Sequence, residues 1–236
     1  MTDIHANIAK VQARIQQAVT KSGRCVTDIM LLAVSKTQSA EAIEKAYHLG
    51  GLCHFGENYI QEAVDKQDVL AHLPLVWHFI GPIQSNKTRL IAERFHWCHS
   101  LDRLKIAERL QQQRPSGLPP LDVCVQVNID DESSKSGLNL AEVPDFVERL
   151  RLMNRLNIRG LMVIPAPGRP PEATIESFQL TANCLAQLQK THPELPLDTL
   201  SMGMSADLEL AIAAGSTIVR VGTDIFGARK TAPDHP

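Results

Sequence analysis

A lysine at the end of a buried apolar run is the first residue whose position suggests chemistry. Residues 29–35 read Ile-Met-Leu-Leu-Ala-Val-Ser, which is typical of a short, buried parallel strand, and Lys36 follows directly. Alternation along this strand places Met30, Leu32, Val34 and Lys36 on one face. A desolvated lysine at a strand's carboxyl end can lose its proton and attack a carbonyl carbon to form a Schiff base. The alternative is a strand-end lysine that reaches into solvent.

Two glycine-containing segments near the end of the chain could bind a phosphate group. Residues 201–205, Ser-Met-Gly-Met-Ser, end a predicted strand, and a helix is predicted from Ala206, so backbone N–H groups and the helix dipole could face an anion. The next strand is followed by a glycine, which leaves room, and by a threonine hydroxyl. The candidate residues are Ser201, Met204, Ser205, Gly222 and Thr223. Taken singly, each is more typical of an ordinary turn or N-cap than of a phosphate site.

An arginine is predicted to point towards the same region. Arg220 is in step with Ile218 along the eighth predicted strand, so both side chains face the interior if one does. A buried arginine needs a partner, either a structural ion pair or an acceptor atom on a ligand, such as a pyridine nitrogen. Asn58 follows the second predicted strand at the same edge. Together, the lysine, the phosphate-binding segments and the arginine suggest pyridoxal 5′-phosphate (PLP).

The predicted elements form one leading helix followed by eight strand–helix units. Apolar residues spaced three or four apart predict the leading helix over residues 3–22. Strands are predicted at residues 29–36, 52–55, 76–80, 97–101, 121–128, 158–164, 199–202 and 217–221. Strict alternation implies parallel strands, so we predict an α/β fold: a single (β/α)8 TIM barrel domain over residues 1–236 with a short last helix. A doubly wound open sheet is the main alternative, although no GxGxxG turn follows the first strand.

The composition of the chain argues against several classes of protein. The 236 residues carry a formal net charge of −2, which gives no reason to expect nucleic acid or an anionic membrane as a partner. The nine histidines and five cysteines show no spacing typical of a metal site. An odd cysteine count without a pattern favours a reducing compartment, and the N-terminus does not resemble a signal peptide. We therefore expect a cytoplasmic protein.

Five stretches, spread over almost the whole length of the chain, resemble a known protein family. They are Ala-Val-Ser-Lys-Thr at 33–37, Phe-Gly-Glu-Asn-Tyr at 55–59, Trp-His-Phe-Ile-Gly-Pro-Ile-Gln-Ser-Asn-Lys at 77–87, Ser-Met-Gly-Met-Ser at 201–205 and Arg-Val-Gly-Thr at 220–223. In these stretches the chain resembles the pyridoxal phosphate homeostasis proteins of the YggS type. The resemblance implies a barrel like that of alanine racemase, with Lys36 holding PLP as an aldimine. It also implies buffering and delivery of PLP to apo-enzymes, without established catalysis.

The chemistry of the candidate residues favours binding over turnover. Arginine beside the pyridine nitrogen leaves the ring a weaker electron sink than an acidic residue would. Racemisation also needs a second base on the opposite face of the substrate. In racemase-like proteins a further domain of the partner chain supplies it, whereas this chain ends 13 residues after Thr223. We therefore expect a monomeric carrier. A racemase-like PLP enzyme and a Schiff-base lyase that uses Lys36 without cofactor remain alternatives.

A polar loop after the fifth predicted strand could close over the same site. Residues 130–137 read Asp-Asp-Glu-Ser-Ser-Lys-Ser-Gly, and they follow a strand whose carboxyl end lies on the ligand face. One reading is a lid in which Lys135 reaches an anion or an aldehyde. The other is a flexible polar loop without a role in binding.

Overall fold

Eight parallel strands close into a barrel in the computed structural model, which describes residues 3–130 and 136–227. The strands pair in chain order, and the eighth pairs with the first through Met30 opposite Ile218 and Ala33 opposite Val221. The strands are β1 (Met30–Val34), β2 (His54–Glu57), β3 (Val76–Phe79), β4 (Trp97–Leu101), β5 (Leu121–Val127), β6 (Leu156–Val163), β7 (Thr199–Ser201) and β8 (Ile218–Val221). The predicted TIM barrel is therefore confirmed.

Helices surround the barrel, and one of them precedes the first strand as predicted. They are α1 (Ile4–Lys21), α2 (Ala40–Gly50), α3 (Ile60–Val69), α4 (Thr88–Arg94), α5 (Leu104–Gln113), α6 (Val143–Leu150), α7 (Pro171–Thr191), α8 (Leu208–Ala213) and α9 (Thr223–Phe226). Among the described helices, none is long and apolar enough to cross a membrane. Residues 131–135, which include Lys135 and most of the predicted lid, lie outside the described residues.

Helix α1 forms because its sequence supplies both a cap and one apolar face. Asp3 Oδ1 accepts a hydrogen bond of 3.0 Å from the N–H of Ala6, which satisfies one of the helix's first N–H groups. Ile8, Val11 and Ile15 are buried on one side. That side packs on α2, α8 and α9, so α1 lies behind the loops that follow β7 and β8.

The interior of the barrel contains a small apolar cluster that is separate from the outer core. Its members are Leu32, Trp97, Cys124, Met162 and Ile218, and a larger apolar layer lies between the strands and the helices. The faces predicted for β1 are confirmed, because Leu32 belongs to the interior whereas Ala33 belongs to the outer layer. Since the interior is packed, space for a ligand is left at the mouth of the barrel.

Two predicted boundaries near the mouth were wrong. Strand β2 occupies residues 54–57 instead of 52–55, because the strand continues through Gly56. A Cβ at Gly56 would lie 3.1 Å from Ile80 Cδ1 and 3.3 Å from Leu32 Cδ2, so only a glycine fits here without a shift of these side chains. This glycine allows close packing in the barrel and does not end the strand. Helix α8 begins at Leu208 instead of Ala206 because residues 205–207 form a turn.

Candidate functional site

The carboxyl ends of several strands surround a cavity of about 280 Å³. Its wall is formed by Val34, Lys36, Asn58, Ile80, Ile164, Met204, Ser205, Ala206, Arg220, Gly222 and Thr223. Seven of the eight candidate residues from the sequence are on this wall, and Ser201 is the exception. The barrel thus brings together residues from β1, β2, β7 and β8 that are far apart along the chain. No group of three or more metal-ligating side chains is found within residues 3–130 and 136–227.

Charged side chains of helix α3 form hydrogen bonds with the backbone on both sides of Lys36. Thr37 has a φ of 64°, a rare left-handed conformation for a β-branched residue. Its N–H donates a hydrogen bond of 2.6 Å to Glu62 Oε1, and Lys66 Nζ donates one of 2.8 Å to the carbonyl oxygen of Ser35. Lys66 also pairs with Glu62. These contacts fix the main chain on both sides of Lys36.

A buried carboxylate completes this group. Glu57 is fully buried, and its Oε1 accepts hydrogen bonds from Ser35 Oγ at 2.6 Å and from Lys66 Nζ at 2.8 Å. Burial raises the pKa of Glu57, and the charge of Lys66 opposes that rise. Removing Lys66 alone would leave a carboxylate buried without its counter-charge, which is costly. Glu57, Glu62 and Lys66 therefore support the strand end that presents Lys36.

The anion-binding edge combines the turn after β7 with the first residue of the short helix α9. The N–H groups of Ser205, Ala206 and Thr223 have no acceptor among the described residues. Ser205 and Thr223, which also carry hydroxyl groups, are on the same wall. Met204 differs from the expectation, because its N–H already donates a hydrogen bond of 2.6 Å to Asp207 Oδ1. Three N–H groups and two hydroxyls are thus positioned to bind an anion.

Gly222 keeps this edge close to β1. A Cβ at this position would lie 3.1 Å from the carbonyl oxygen of Val34 and 3.3 Å from its Cβ. Such contacts are tighter than most side chains tolerate, so a larger residue would push the turn after β8 away from β1. Gly222 therefore allows the turn after β8 to pack closely on β1. Its role in leaving room for an anion stays a prediction.

Arg14 on helix α1 connects the two halves of the anion-binding edge. Its guanidinium donates to the carbonyl oxygen of Ser205 at 2.8 Å, to Asp224 Oδ2 at 2.7 Å and to Glu209 Oε1 at 2.7 Å. Ser205 belongs to the turn after β7, and Asp224 belongs to α9 after β8. The hydrogen bond to Glu209 is the largest of the causes that raise the pKa of Arg14. Arg14 therefore fixes the two loops relative to each other.

Arg220 is buried at the floor of the cavity, and Ser201 lies behind it. Arg220 Nη1 donates to the carbonyl oxygen of Ser201 at 2.6 Å and to Ser201 Oγ at 2.7 Å, while Nη2 donates to the carbonyl oxygen of Val163 at 2.9 Å. Burial lowers the pKa of Arg220 to about 10, which still leaves it charged at neutral pH. Ser201 therefore contacts Arg220 and does not line the cavity.

Asn58 joins this cavity to a neighbouring one of about 340 Å³. The two share Asn58, Ile80 and Ile164. Asn58 Oδ1 is buried and has no hydrogen-bond partner in the described part of the chain. An acceptor of this kind is costly unless a ligand or water supplies a donor. Asn58 is thus positioned to accept a hydrogen bond from a molecule in the cavity.

Sequence reasoning missed the residues that support the site from outside the strands. Arg14 and Asp207 contact the backbone of the site residues Ser205 and Met204, whereas Glu62 and Lys66 contact the backbone on either side of Lys36. None of the four lines the cavity. Of these four residues, only Lys66 could have been found from the sequence. It is a charged residue on the buried side of an amphipathic helix, and it is only 6% exposed. For Arg14, whose side chain is one-third exposed, the sequence gives no such signal.

Comparison with known proteins places the chain in a family. The profile of the family "Alanine racemase, N-terminal domain" matches residues 4–230. A "Pyridoxal phosphate homeostasis protein" from Pseudomonas aeruginosa is 55% identical over 229 residues, which cover 97% of both chains. The protein of the same description from Escherichia coli K12 is 52% identical over 232 residues, covering 97% of this chain and 98% of that one.

A solved structure supports the same relationship. PipY of Synechococcus elongatus, determined with PLP bound, superposes with a TM-score of 0.80 at 39% identity and covers 91% of this chain and all of that one. The resemblance in sequence motifs and the expected alanine-racemase-like barrel are both confirmed. From the family profile, the near-complete coverage and the identities, the chain belongs to the pyridoxal phosphate homeostasis protein family.

Proposed function

We propose that this protein binds PLP at the mouth of the barrel, holds it covalently on Lys36 and delivers it to apo-enzymes. The observation that carries the proposal is the single cavity that combines an amine, an anion-binding edge and a buried arginine. The relatives described as PLP homeostasis proteins and the PipY structure with PLP support it. We further propose that the protein acts as a monomer in the cytoplasm.

The residues of the cavity fit the functional groups of PLP. The N–H groups of Ser205, Ala206 and Thr223 and two hydroxyls suit a phosphate, which several donors can bind at once. Arg220 suits a pyridine nitrogen, since a guanidinium only donates hydrogen bonds. The unpaired Oδ1 of Asn58 suits a donor group on the ligand. Each kind of polar group on the wall thus has a counterpart on PLP.

Lys36 supplies the covalent bond. In its deprotonated form, the Lys36 amine would bind the aldehyde carbon of PLP, with the carbonyl oxygen lost as water. Exchange with another amine would free Lys36 again, so the attachment would be reversible. The neighbouring contacts to Thr37 and Ser35 keep the lysine backbone in place while this occurs.

The arginine limits what bound PLP can do. PLP supplies an electron sink for carbanions, and that sink is strongest when the pyridine nitrogen is protonated. Arg220 retains its own protons at neutral pH and offers no proton acceptor to an NH⁺ group, so it favours an unprotonated nitrogen. The site therefore suits binding better than turnover.

Binding and transfer of PLP test this function together. Purified protein titrated with PLP is expected to develop the absorbance band of a lysine-linked ligand and to pass the ligand to an apo-enzyme. Pyridoxine 5′-phosphate, which lacks the aldehyde, serves as control and is expected to produce no such band. A chain that develops no band and releases no PLP to the acceptor would rule out the proposal.

A racemase-like activity is the second candidate, because the matching family profile is that of alanine racemase. Among the described residues of the cavity wall, Lys36 is the one side chain suited to proton transfer near neutral pH. We therefore expect alanine and serine in deuterated water to exchange their α-protons far below about 1 s⁻¹, the low end of typical turnover. NMR of the α-proton signal measures this. Exchange at or above that rate would identify an enzyme.

Loss of the Arg14 contact is expected to weaken PLP binding without preventing covalent attachment. Arg14→Gln removes the charge that joins Ser205 to Asp224, so the two halves of the anion-binding edge can separate. We expect roughly fivefold weaker binding, about 1 kcal/mol for one net hydrogen bond. Titration by absorbance measures it, with Lys10→Gln, an exposed charge on the same helix, as the matched control. Equal affinity of the two variants would contradict the role of Arg14.

A further inference from the structure

Three histidines form a hydrogen-bonded row through the inside of the barrel to the buried arginine. His54 Nδ1 lies 3.0 Å from His78 Nε2, and His78 Nδ1 lies 2.9 Å from His99 Nε2. His99 Nδ1 in turn lies 2.8 Å from Ser201 Oγ, which accepts from Arg220 at 2.7 Å. His78 and His99 are fully buried, and His78 stacks on Trp97 at a centroid distance of 5.4 Å.

The arginine fixes the direction of every hydrogen bond in this row. Arg220 can only donate, so Ser201 Oγ accepts from it and has its own hydrogen left to donate. Ser201 is fully buried, and His99 Nδ1 is the one acceptor within reach in the described residues, so that nitrogen carries no hydrogen. The opposite direction would leave the Ser201 hydroxyl hydrogen buried without a partner, which is costly.

Because the histidines are neutral, the direction of each hydrogen bond in the row fixes the direction of the next. Burial lowers the pKa of His99 to about 3, lowers that of His78 well below its usual range and also lowers that of His54. A neutral ring that accepts at Nδ1 must donate at Nε2. His99 therefore donates to His78, and His78 donates to His54. All three rings carry their hydrogen on Nε2, and all three Nδ1 atoms face the arginine side.

This alignment matters because Arg220 is a buried cation. Among the described residues, no carboxylate forms a salt bridge with it, although the charge of Asp207 is near enough to raise its pKa. A buried charge needs compensation. Three imidazole dipoles whose negative ends point towards the guanidinium supply it in the way that aligned peptide dipoles act at a helix end.

We propose that His54, His78 and His99 are positioning residues: their aligned dipoles stabilise the Arg220 cation and hold Ser201 as its acceptor. With Nη1 occupied by Ser201 and Nη2 bonded to Val163, Arg220 has a fixed orientation at the cavity floor. If the protein binds PLP as proposed, this row also keeps the arginine fixed as donor to the pyridine nitrogen of PLP. The row thus extends the ligand site to the opposite end of the barrel.

Nitrogen-15 NMR of the histidine rings in the ligand-free protein tests the row directly. At neutral pH we expect His78 and His99 to show a pyridine-like Nδ1 and a protonated Nε2. Ser201→Ala, which removes the hydroxyl, is expected to shift the Nδ1 signal of His99. A protonated Nδ1 on either ring, or a His99 signal indifferent to Ser201→Ala, would overturn the inference. Because no ligand is present, this result is independent of the proposed function.

Substitutions at His99 test the effect on the ligand. His99→Leu removes both hydrogen bonds and is expected to weaken PLP binding about 5- to 30-fold and to shift the absorbance of bound PLP. His99→Asn places an amide oxygen near the former Nδ1 and is expected to recover part of the loss. His192→Leu, at a buried histidine outside the row, is the matched control and is expected to bind as the wild type does.

The results of these experiments distinguish a failure of the histidine row from a failure of the proposed PLP site. Wild-type affinity and spectrum in both His99 variants would overturn the inference, as would equal losses in His99→Leu and His192→Leu. If His99→Leu does not fold, the comparison of His99→Asn with the wild type decides, and unchanged affinity and spectrum there would again overturn it. A wild-type chain that binds no PLP would overturn the proposed function and the pyridine contact, while the ring tautomers would still decide the alignment.

Discussion

Replacing Lys36 with alanine is expected to abolish covalent attachment of PLP entirely. Lys36 is the one lysine on the described wall of the cavity, beside the anion-binding edge that would hold the phosphate. Without the amine no carbon–nitrogen bond can form, although the phosphate contacts remain and weak noncovalent binding should persist. Borohydride reduction followed by peptide mapping measures the attachment.

The control for this experiment is an exposed lysine on the following helix. Lys45→Ala on α2 is expected to leave the reducible attachment intact. The wild-type protein should yield a single modified peptide that contains Lys36. A modified peptide centred on Lys135, with Lys36 unmodified, would show that the loop after β5 supplies the amine and that the assignment of Lys36 is wrong.

Removing both hydroxyls of the anion-binding edge is expected to give the largest loss of affinity. Ser205→Ala combined with Thr223→Ala deletes two donors to a phosphate, and each charge-assisted hydrogen bond contributes about 1.5–3 kcal/mol. If the two contributions add, binding weakens about 10²- to 10⁴-fold. Equilibrium titration with PLP measures the loss. Pyridoxal, which has no phosphate, is the control ligand and should bind the variant and the wild type alike.

Arg220→Gln provides the contrast that identifies the anchor of the ligand. A glutamine can still donate one hydrogen bond to a pyridine nitrogen, and the phosphate contacts are untouched, so we expect a smaller loss than in the double variant. If Arg220→Gln instead loses far more affinity than Ser205→Ala with Thr223→Ala, the floor of the cavity and not its anion-binding edge is the main anchor.

Local patterns in the sequence were sufficient for the barrel and for most of the cavity wall. Alternation placed Lys36 on the same face of β1 as Leu32, and Arg220 on the same face of β8 as Ile218, because side chains in a strand point to opposite sides in turn. Leu32 and Ile218 both belong to the barrel interior. The carboxyl ends of parallel strands meet at one mouth, so the loops after β2, β7 and β8 had to lie near each other. For Lys36, Asn58, Met204, Ser205, Arg220, Gly222 and Thr223, the expectation of a shared site agrees with the cavity.

The same patterns were less informative where a side chain forms hydrogen bonds with backbone groups that a helix would otherwise use. A helix was expected to begin at Ala206, but Asp207 accepts the Met204 N–H and the chain forms a turn before α8. Ser201 was expected in the phosphate site because it precedes the glycine turn. Its position at the end of β7 directs its hydroxyl towards Arg220 and His99 instead. Such choices depend on partners that a short window of sequence does not contain.

Residue type and spacing, taken alone, determined the order of the elements, the eightfold alternation of strands and helices, and the residues at the strand ends. The tertiary structure decided what supports those residues. Arg14 reaches Glu209 across 195 positions of the chain, and His99 reaches Ser201 across 102. Neither contact has a local periodicity that could predict it. Both exist because closure of the barrel brings distant polar groups into a buried space where each must find a hydrogen-bond partner.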